Sequence, residues 1–487
     1  MRFAALAAST LALSTAGSLA AQNRTLDGVA RAMGGKDNIL AVRTLVLEGR
    51  GEQLNFGQNH TPMADTKFEV TSYRFAMDLA NGRHLIDATR EPRFTTGNMA
   101  PQRIRLGLDK DVAYGILPNG TMTRAGAQAA ADRAHNTILH PIGFLQAAYA
   151  AGTRVSDAAA GPNARLVRID VGGKTYAMTV DTRTNLPTRI ETRMDQPMLG
   201  DVAQVLETSD YQEASGLRLP TRLVQRFENL FTLSDIRLSA SRINGDVGDL
   251  AATDSIRSIV QQGAPPAPTV VVDSIAPGVW SIAGQTHHTI AIEQANGIIL
   301  IEAPQNDART LAAIAKAREL RPGKPIAALV NTHHHFDHSG GIRAAISQDV
   351  PIITHSANRE FYERVVFPRP HTIARDALAQ TPRALRITGV GDTHTLPDTQ
   401  RPVELYHVNT PHSGSMLVAY LPAEKILVQA DLYNPPNPNA TATPVFPFVT
   451  GLVEDVQRRG LQVERVVGIH GRPVPFSELQ AAASRTP

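Results

Sequence analysis

Residues 331–341, NTHHHFDHSGG, place four histidines and an aspartate within the six positions 333–338, directly after the apolar run IAALV. Such a run reads as a buried strand, so the chain must leave the core and turn while carrying a dense set of imidazoles. In extended backbone alternate side chains share one side, so His333 and His335 point together and His334 points away. Asp337 and His338 fall on the turn into the next helix, a different direction that suits a second ion beside the first. Gly340 and Gly341 lack side chains and let that helix approach the loop closely. Imidazole and carboxylate bind zinc at roughly 2.0–2.2 Å. The chain has no cysteine, so any metal here is held by His and Asp. Thr332 and His334 flank the ligands and are candidates for orienting them. A surface loop merely rich in histidine is the plain alternative.

At 487 residues the chain exceeds one typical core, and a prior of about 150 residues per domain points to two units. With 48 basic and 45 acidic residues and no basic block, nothing marks a nucleic-acid surface. Residues 1–21, MRFAALAASTLALSTAGSLAA, carry one arginine, an apolar run and small residues suited to cleavage. They read as a secretory signal that gives an exported protein, periplasmic or secreted. That run is shorter than the roughly 18 residues of a membrane span, and no other segment comes closer. A buried N-terminal helix is the alternative.

From residue 24 to about residue 250 a short helical stretch, LDGVARAMGG, leads into segments alternating with period two, such as TKFEVTSYRFAMDL, ARLVRIDVGG and KTYAMTVD. This pattern is that of antiparallel sheet. Gly172 and Gly173 mark a hairpin, while LHPIGFLQAAYAAG, 139–152, has helical spacing. The order of a short helix ending in GG, long strands and the late NLP and GLRLP turns resembles the half-barrels of periplasmic lipoprotein carriers. That resemblance implies an apolar concavity able to hold an apolar ligand; a scaffold without ligand is the alternative. Residues 262–270 are proline-rich and read as a linker. Beyond them, over 271–487, strands and amphipathic helices alternate as in an α/β layered domain.

In that C-terminal part His333, His335, Asp337 and His338 match the HxHxDH signature and resemble the metallo-β-lactamase superfamily. The resemblance implies an αββα sandwich with further ligands at later strand ends. His412 in TPHSG looks like the third histidine of a first metal, Asp431 in VQADLY the bridging carboxylate, and His470 in VVGIHGRP a ligand of the second. His355, His371, His394 and His407 read as ordinary strand-end or loop histidines. Two zinc ions per chain are implied, sharing a hydroxide that attacks a carbonyl or phosphoryl centre, with Asp337 taking and returning the proton. Tyr433, two residues past Asp431, is a candidate oxyanion donor against a packing role.

Lactamases of this superfamily put cysteine or serine where Asp431 stands, whereas aspartate resembles its lactonases, thioesterases and phosphodiesterases. An ester, lactone or thioester hydrolase is therefore preferred. A β-lactamase or phosphodiesterase, an iron-dependent dioxygenase, and an apolar-ligand binding protein with a secondary metal site remain alternatives. Loops 357–378 and 434–448, carrying Phe361, Tyr362, Phe446 and Phe448, are expected to border the metals and suit an apolar small-molecule substrate. Packing of these aromatics within the loops themselves is the other reading.

Overall fold

Strand pairing follows directly from the period-two segments. The computed structural model describes residues 24–64, 66–94, 100–260, 268–284, 286–436 and 448–485. The expected signal segment, linker residues 262–267 and most of loop 434–448, including Phe446, lie outside the described residues. The first part of the chain forms one 13-stranded sheet in which every pairing is antiparallel. It consists of two meanders joined where strand Thr44–Leu54 pairs with the last strand, Phe231–Ile243. Gly172 and Gly173 take φ of 58° and 76°, the left-handed pair that a two-residue hairpin turn requires.

The helices of this part cover one face of the sheet. Leu26, Val29 and Met33, with Ile142, Phe144 and Leu145 from Pro141–Tyr149, pack against Leu45, Met77, Val167 and Ile190 of the strands. Any ligand seated on that apolar face would have to displace the chain's own helices.

The second part is two stacked sheets between helices. Strands from Val271–Ala276 to Ile387–Val390 form a seven-stranded sheet, and strands from Thr393–Leu396 to Val474–Pro475 a six-stranded one. Ile290, Ile299, Ile301 and Val330 of the first meet Leu405, Leu417, Val428 and Val467 of the second, so the central core lies between the sheets. Helix Asp307–Leu320 covers the outer face of one sheet, and helices Phe448–Arg458 and Phe476–Ala483 that of the other. The expected four-layered α/β arrangement is therefore present.

The two parts also share a core. Leu54, Leu199, Val202, Phe227 and Phe231 of the large sheet cluster with Trp280, Ile282, Ile342 and Phe361 of the second part. Polar contacts lock the same seam, as the Asp201 carboxylate accepts from the backbone nitrogens of Thr372 (2.9 Å) and Ile373 (3.0 Å).

Candidate metal centre

Strand Ile326–Val330 ends in the middle of the seven-stranded sheet, and the chain then enters the short helix Phe336–Ser339. The histidine cluster thus lies at the carboxyl edge of parallel strands, where side chains from several loops converge. Asp431 follows strand Ile426–Gln429, His470 follows Arg465–Gly468, and His412 precedes Met416–Leu421.

Two pairs of imidazole nitrogens converge with the same spacing. His333 Nε2 lies 3.4 Å from His412 Nε2, and His338 Nε2 lies 3.4 Å from His470 Nε2. Two nitrogens each about 2.0–2.1 Å from one tetrahedral ion would stand roughly 3.3–3.4 Å apart. Asp431 sits between the pairs: Oδ2 is 3.3 Å from His333, 3.1 Å from His412 and 2.9 Å from His338, and Oδ1 is 2.8 Å from His470. One carboxylate therefore touches both sets, as a bridging ligand must. His335 joins His333, His412 and Asp431 in one group of potential ligands, and its Nδ1 is buried without a hydrogen-bond partner. These donors form two adjoining groups whose chemistry suits divalent metal, His333, His335, His412 and Asp431 in one and His287, His338 and His470 in the other, with Asp431 touching both and Asp337 beside the second.

The far ring nitrogens fix which nitrogen each ligand offers. The Thr332 hydroxyl donates to Glu302 Oε2 (2.6 Å), so it accepts from His333 Nδ1 (3.0 Å) and leaves Nε2 bare. Likewise His338 Nδ1 donates to Glu302 Oε2 (3.1 Å) and His470 Nδ1 to the Thr286 carbonyl (2.8 Å). Outer acceptors of this kind set tautomer and ring direction for a metal-binding imidazole.

Burial, with help from neighbouring imidazoles, lowers His333 to about 4 and His335 well below its ordinary value, keeping both neutral as ligands must be. At His338 burial acts the same way but Asp431 and Glu302 outweigh it, raising that group well above its usual range. His470 is also raised, with Asp431 overcoming burial. Asp431 is driven well down despite its own burial, chiefly by His338.

His334 turns away as its spacing implies, with Nδ1 3.3 Å from Ser415 Oγ. Gly340 and Gly341 are needed for close approach, since a Cβ on Gly340 would collide with the Gln305 carbonyl and one on Gly341 with the Thr310 side chain. Gly341→Ala is expected to destabilise the fold by about 1–3 kcal/mol, as overpacking does. Denaturant unfolding would show this, and a variant as stable as the parent would refute the tight contact.

Tyr433 does not face the ligands. Its hydroxyl donates to Glu478 Oε1 (3.1 Å) and its ring is buried beneath the C-terminal helices, because Gln429 Oε1 accepts from the nitrogens of Leu432 and Tyr433 and fixes the turn. Phe361 and Tyr362 are buried rather than bordering a substrate, and the Tyr362 hydroxyl supports Asn331 Oδ1 at 2.8 Å. Phe448 lies edge-on to His412, ring centres 5.5 Å apart. His407 bonds the Gly414 carbonyl and stays outside the ligand set.

Two residues of the site have no distinguishing mark in the sequence. Glu302, fully buried, accepts from Asn331 Nδ2, Thr332 and His338. His287 groups with His338 and His470, its Nε2 3.3 Å from Asp337 Oδ2. Glu302 at φ 85° and Asp431 at φ 63° are left-handed backbone positions, uncommon for such residues and a local signal only coordinates reveal.

Residues 284–463 match the model of the metallo-beta-lactamase superfamily. The 2,4-dinitroanisole O-demethylase subunit alpha of Nocardioides sp. (strain JS1661) is 26% identical over 207 residues, 40% of this chain and 57% of that protein. The chain thus spans little more than half the length of that relative. Solved structures that align include a metallo-beta-lactamase from Pontibacter korlensis (20% identity, TM-score 0.35, 44% of this chain and 98% of that one). The DIM-1 metallo-beta-lactamase aligns similarly (14%, 0.35, 45% and 96%). The second part of the chain, with its layered sheets and its converging histidines, is a member of the metallo-β-lactamase superfamily.

Proposed function

We propose that this protein is an exported dinuclear zinc hydrolase that cleaves an ester, lactone or thioester of a small molecule. The observation that carries the reading is the pair of 3.4 Å imidazole contacts with one carboxylate between them. When bound, divalent metal held by these residues would lower the pKa of a coordinated water towards about 7 and polarise the scissile carbonyl.

The chain's own groups divide the remaining work. Asp431 is enclosed, its side chain 12% exposed, and holds position between the imidazoles. Asp337 is 38% exposed, so of the two carboxylates it is the one open to a reacting water and substrate. Its carboxyl is held well below its usual range: burial opposes this, but the His287 hydrogen bond and the nearby His338 prevail. An ionised, accessible carboxylate at the edge of the second group would accept a proton and return it to the leaving group, besides serving as a ligand. His287 limits its rotation. The export part of this reading rests on the sequence of residues 1–21 alone.

A second reading is favoured by the relative named for O-demethylation of 2,4-dinitroanisole. Water addition to an activated aryl methyl ether gives a phenol and methanol, and the same nucleophile and proton carrier would serve. Metal analysis joined to a panel of esters, lactones, thioesters, β-lactams, phosphodiesters and activated aryl methyl ethers separates these readings. Two zinc ions per chain and carbonyl-ester turnover, lost in His335→Ala, are expected. Turnover of β-lactams alone, or of the ethers alone, would displace the first reading, and iron in place of zinc would favour an oxygenase.

A further inference from the structure

The loop leaving the large sheet after strand Thr44–Leu54 reaches across the seam and touches the metal signature at consecutive positions. The Asn59 carbonyl accepts from His335 Nε2 at 3.0 Å, and Gln58 Nε2 donates to Asp337 Oδ1 at 2.6 Å. Between those two ligands the Phe336 nitrogen donates to the Gly57 carbonyl at 3.0 Å. The His60 carbonyl accepts from Gly414 nitrogen at 2.8 Å, on the loop that carries His412. One short loop from the first part of the chain thus contacts two candidate ligands of the second directly, and the loop that carries a third.

This loop is built to hold that posture. Asn55 nitrogen bonds the Thr66 carbonyl, Gln58 nitrogen the Asn55 carbonyl, and the Asn55 side-chain amide the Gln58 carbonyl. Phe56 stands edge-on to Phe227 and Phe231 of the sheet and to Phe336 of the signature, with ring centres 5.2–5.3 Å apart. Gly57 has φ 78°, and a Cβ there would come within 2.7 Å of the Phe336 ring. An aromatic anchor, a glycine contact and two side-chain-directed hydrogen bonds meet at residues 335–337.

We propose that this loop is a working part of the metal centre, with Gln58 and the Asn59 carbonyl as positioning groups for the ligands of the two ions. Of the two nitrogens of a neutral imidazole only one carries hydrogen, and the carbonyl claims it at Nε2. His335 Nδ1, otherwise unpartnered, is thereby the nitrogen left for the first ion. Gln58 fixes the opposite oxygen of Asp337 from the one that faces His287 and His338, so the carboxylate cannot swing away from the second site. The large sheet then contributes to metal affinity although it supplies no ligand. The inference rests on the metal-centre reading but not on which bond the enzyme cuts.

The test uses the full-length protein stripped and reloaded with zinc, then with cobalt(II). Loss of such outer contacts weakens metal affinity by about 10–100-fold. Gln58→Ala is expected to lower affinity at the second site by that factor while the first site is unchanged, and Gln58→Glu, which repels Asp337, to do no better. Gly57→Ala, which pushes the loop off Phe336, is expected to weaken the first site and alter the cobalt visible spectrum. Competition with a chelator gives the affinities, and the metal-free melting temperature shows whether each variant is folded. Gln58→Ala alone, on a half-buried side chain, keeps the test open if Gly57→Ala does not fold. Parental affinities and cobalt spectrum in folded variants would overturn the proposal while leaving the hydrolase reading standing. Two tightly held ions and loop-dependent affinity, with no hydrolysis of any substrate, would do the reverse.

Discussion

Asp431→Asn is expected to reduce metal content from two ions to at most one and to lower turnover about a thousandfold. Metal-assisted charge stabilisation contributes several kcal/mol, and each 1.36 kcal/mol is tenfold in rate. Asp431 lies within 3.3 Å of all four of His333, His338, His412 and His470. Asparagine is the informative replacement because the residue sits at φ 63°, a conformation Asn tolerates better than Ala. Volume and backbone are kept while the charge that draws two cations together is lost. Elemental analysis and steady-state kinetics on one preparation give both quantities. A variant retaining both ions and more than a tenth of the parental rate would rule out a bridging role.

Glu302→Ala should strongly destabilise the metal-free protein, costing about 3–5 kcal/mol, as breaking a buried charged cluster does. Its carboxylate is inaccessible and receives Asn331 Nδ2 (3.1 Å), Thr332 nitrogen (3.2 Å), Thr332 Oγ1 (2.6 Å) and His338 Nδ1 (3.1 Å). Alanine leaves these buried donors with no acceptor on that side, and each unmet group costs about 1–3 kcal/mol. The same change frees His338 to place its hydrogen on Nε2, the nitrogen meant for the second ion. Chemical denaturation of the stripped protein and zinc competition should therefore move together, and Glu302→Gln should fall between. A loss below about 1 kcal/mol would show that water replaces the carboxylate.

Much of the centre was legible because its ligands are local or mark strand ends. His333, His335, Asp337 and His338 occupy one turn, and His412, Asp431 and His470 each adjoin an apolar strand. Tyr433 misled for a physical reason: two residues past a ligand says nothing of side-chain direction once Gln429 has bent the backbone. The aromatics at 361 and 362 misled similarly, since an aromatic in a loop segment reads the same whether it faces a substrate or the core. Glu302 and His287 had no local mark, because a glutamate after one strand and a histidine opening another become partners of the candidate ligands only across the sheet.

The sequence by itself determined the alternating sheet, the layered second part and the residue types gathered at the candidate metal centre, because these follow from periodicity and from side-chain type at strand ends. Tertiary structure alone decided how that set is held. Tautomers depend on acceptors distant in sequence: Glu302 for His338, Thr286 for His470 and Asn59 for His335. The last of these lies 276 positions away, in the loop that leaves the large sheet. A backbone carbonyl is present at every residue and so leaves no mark in a sequence, and only folding brings this one against the imidazole.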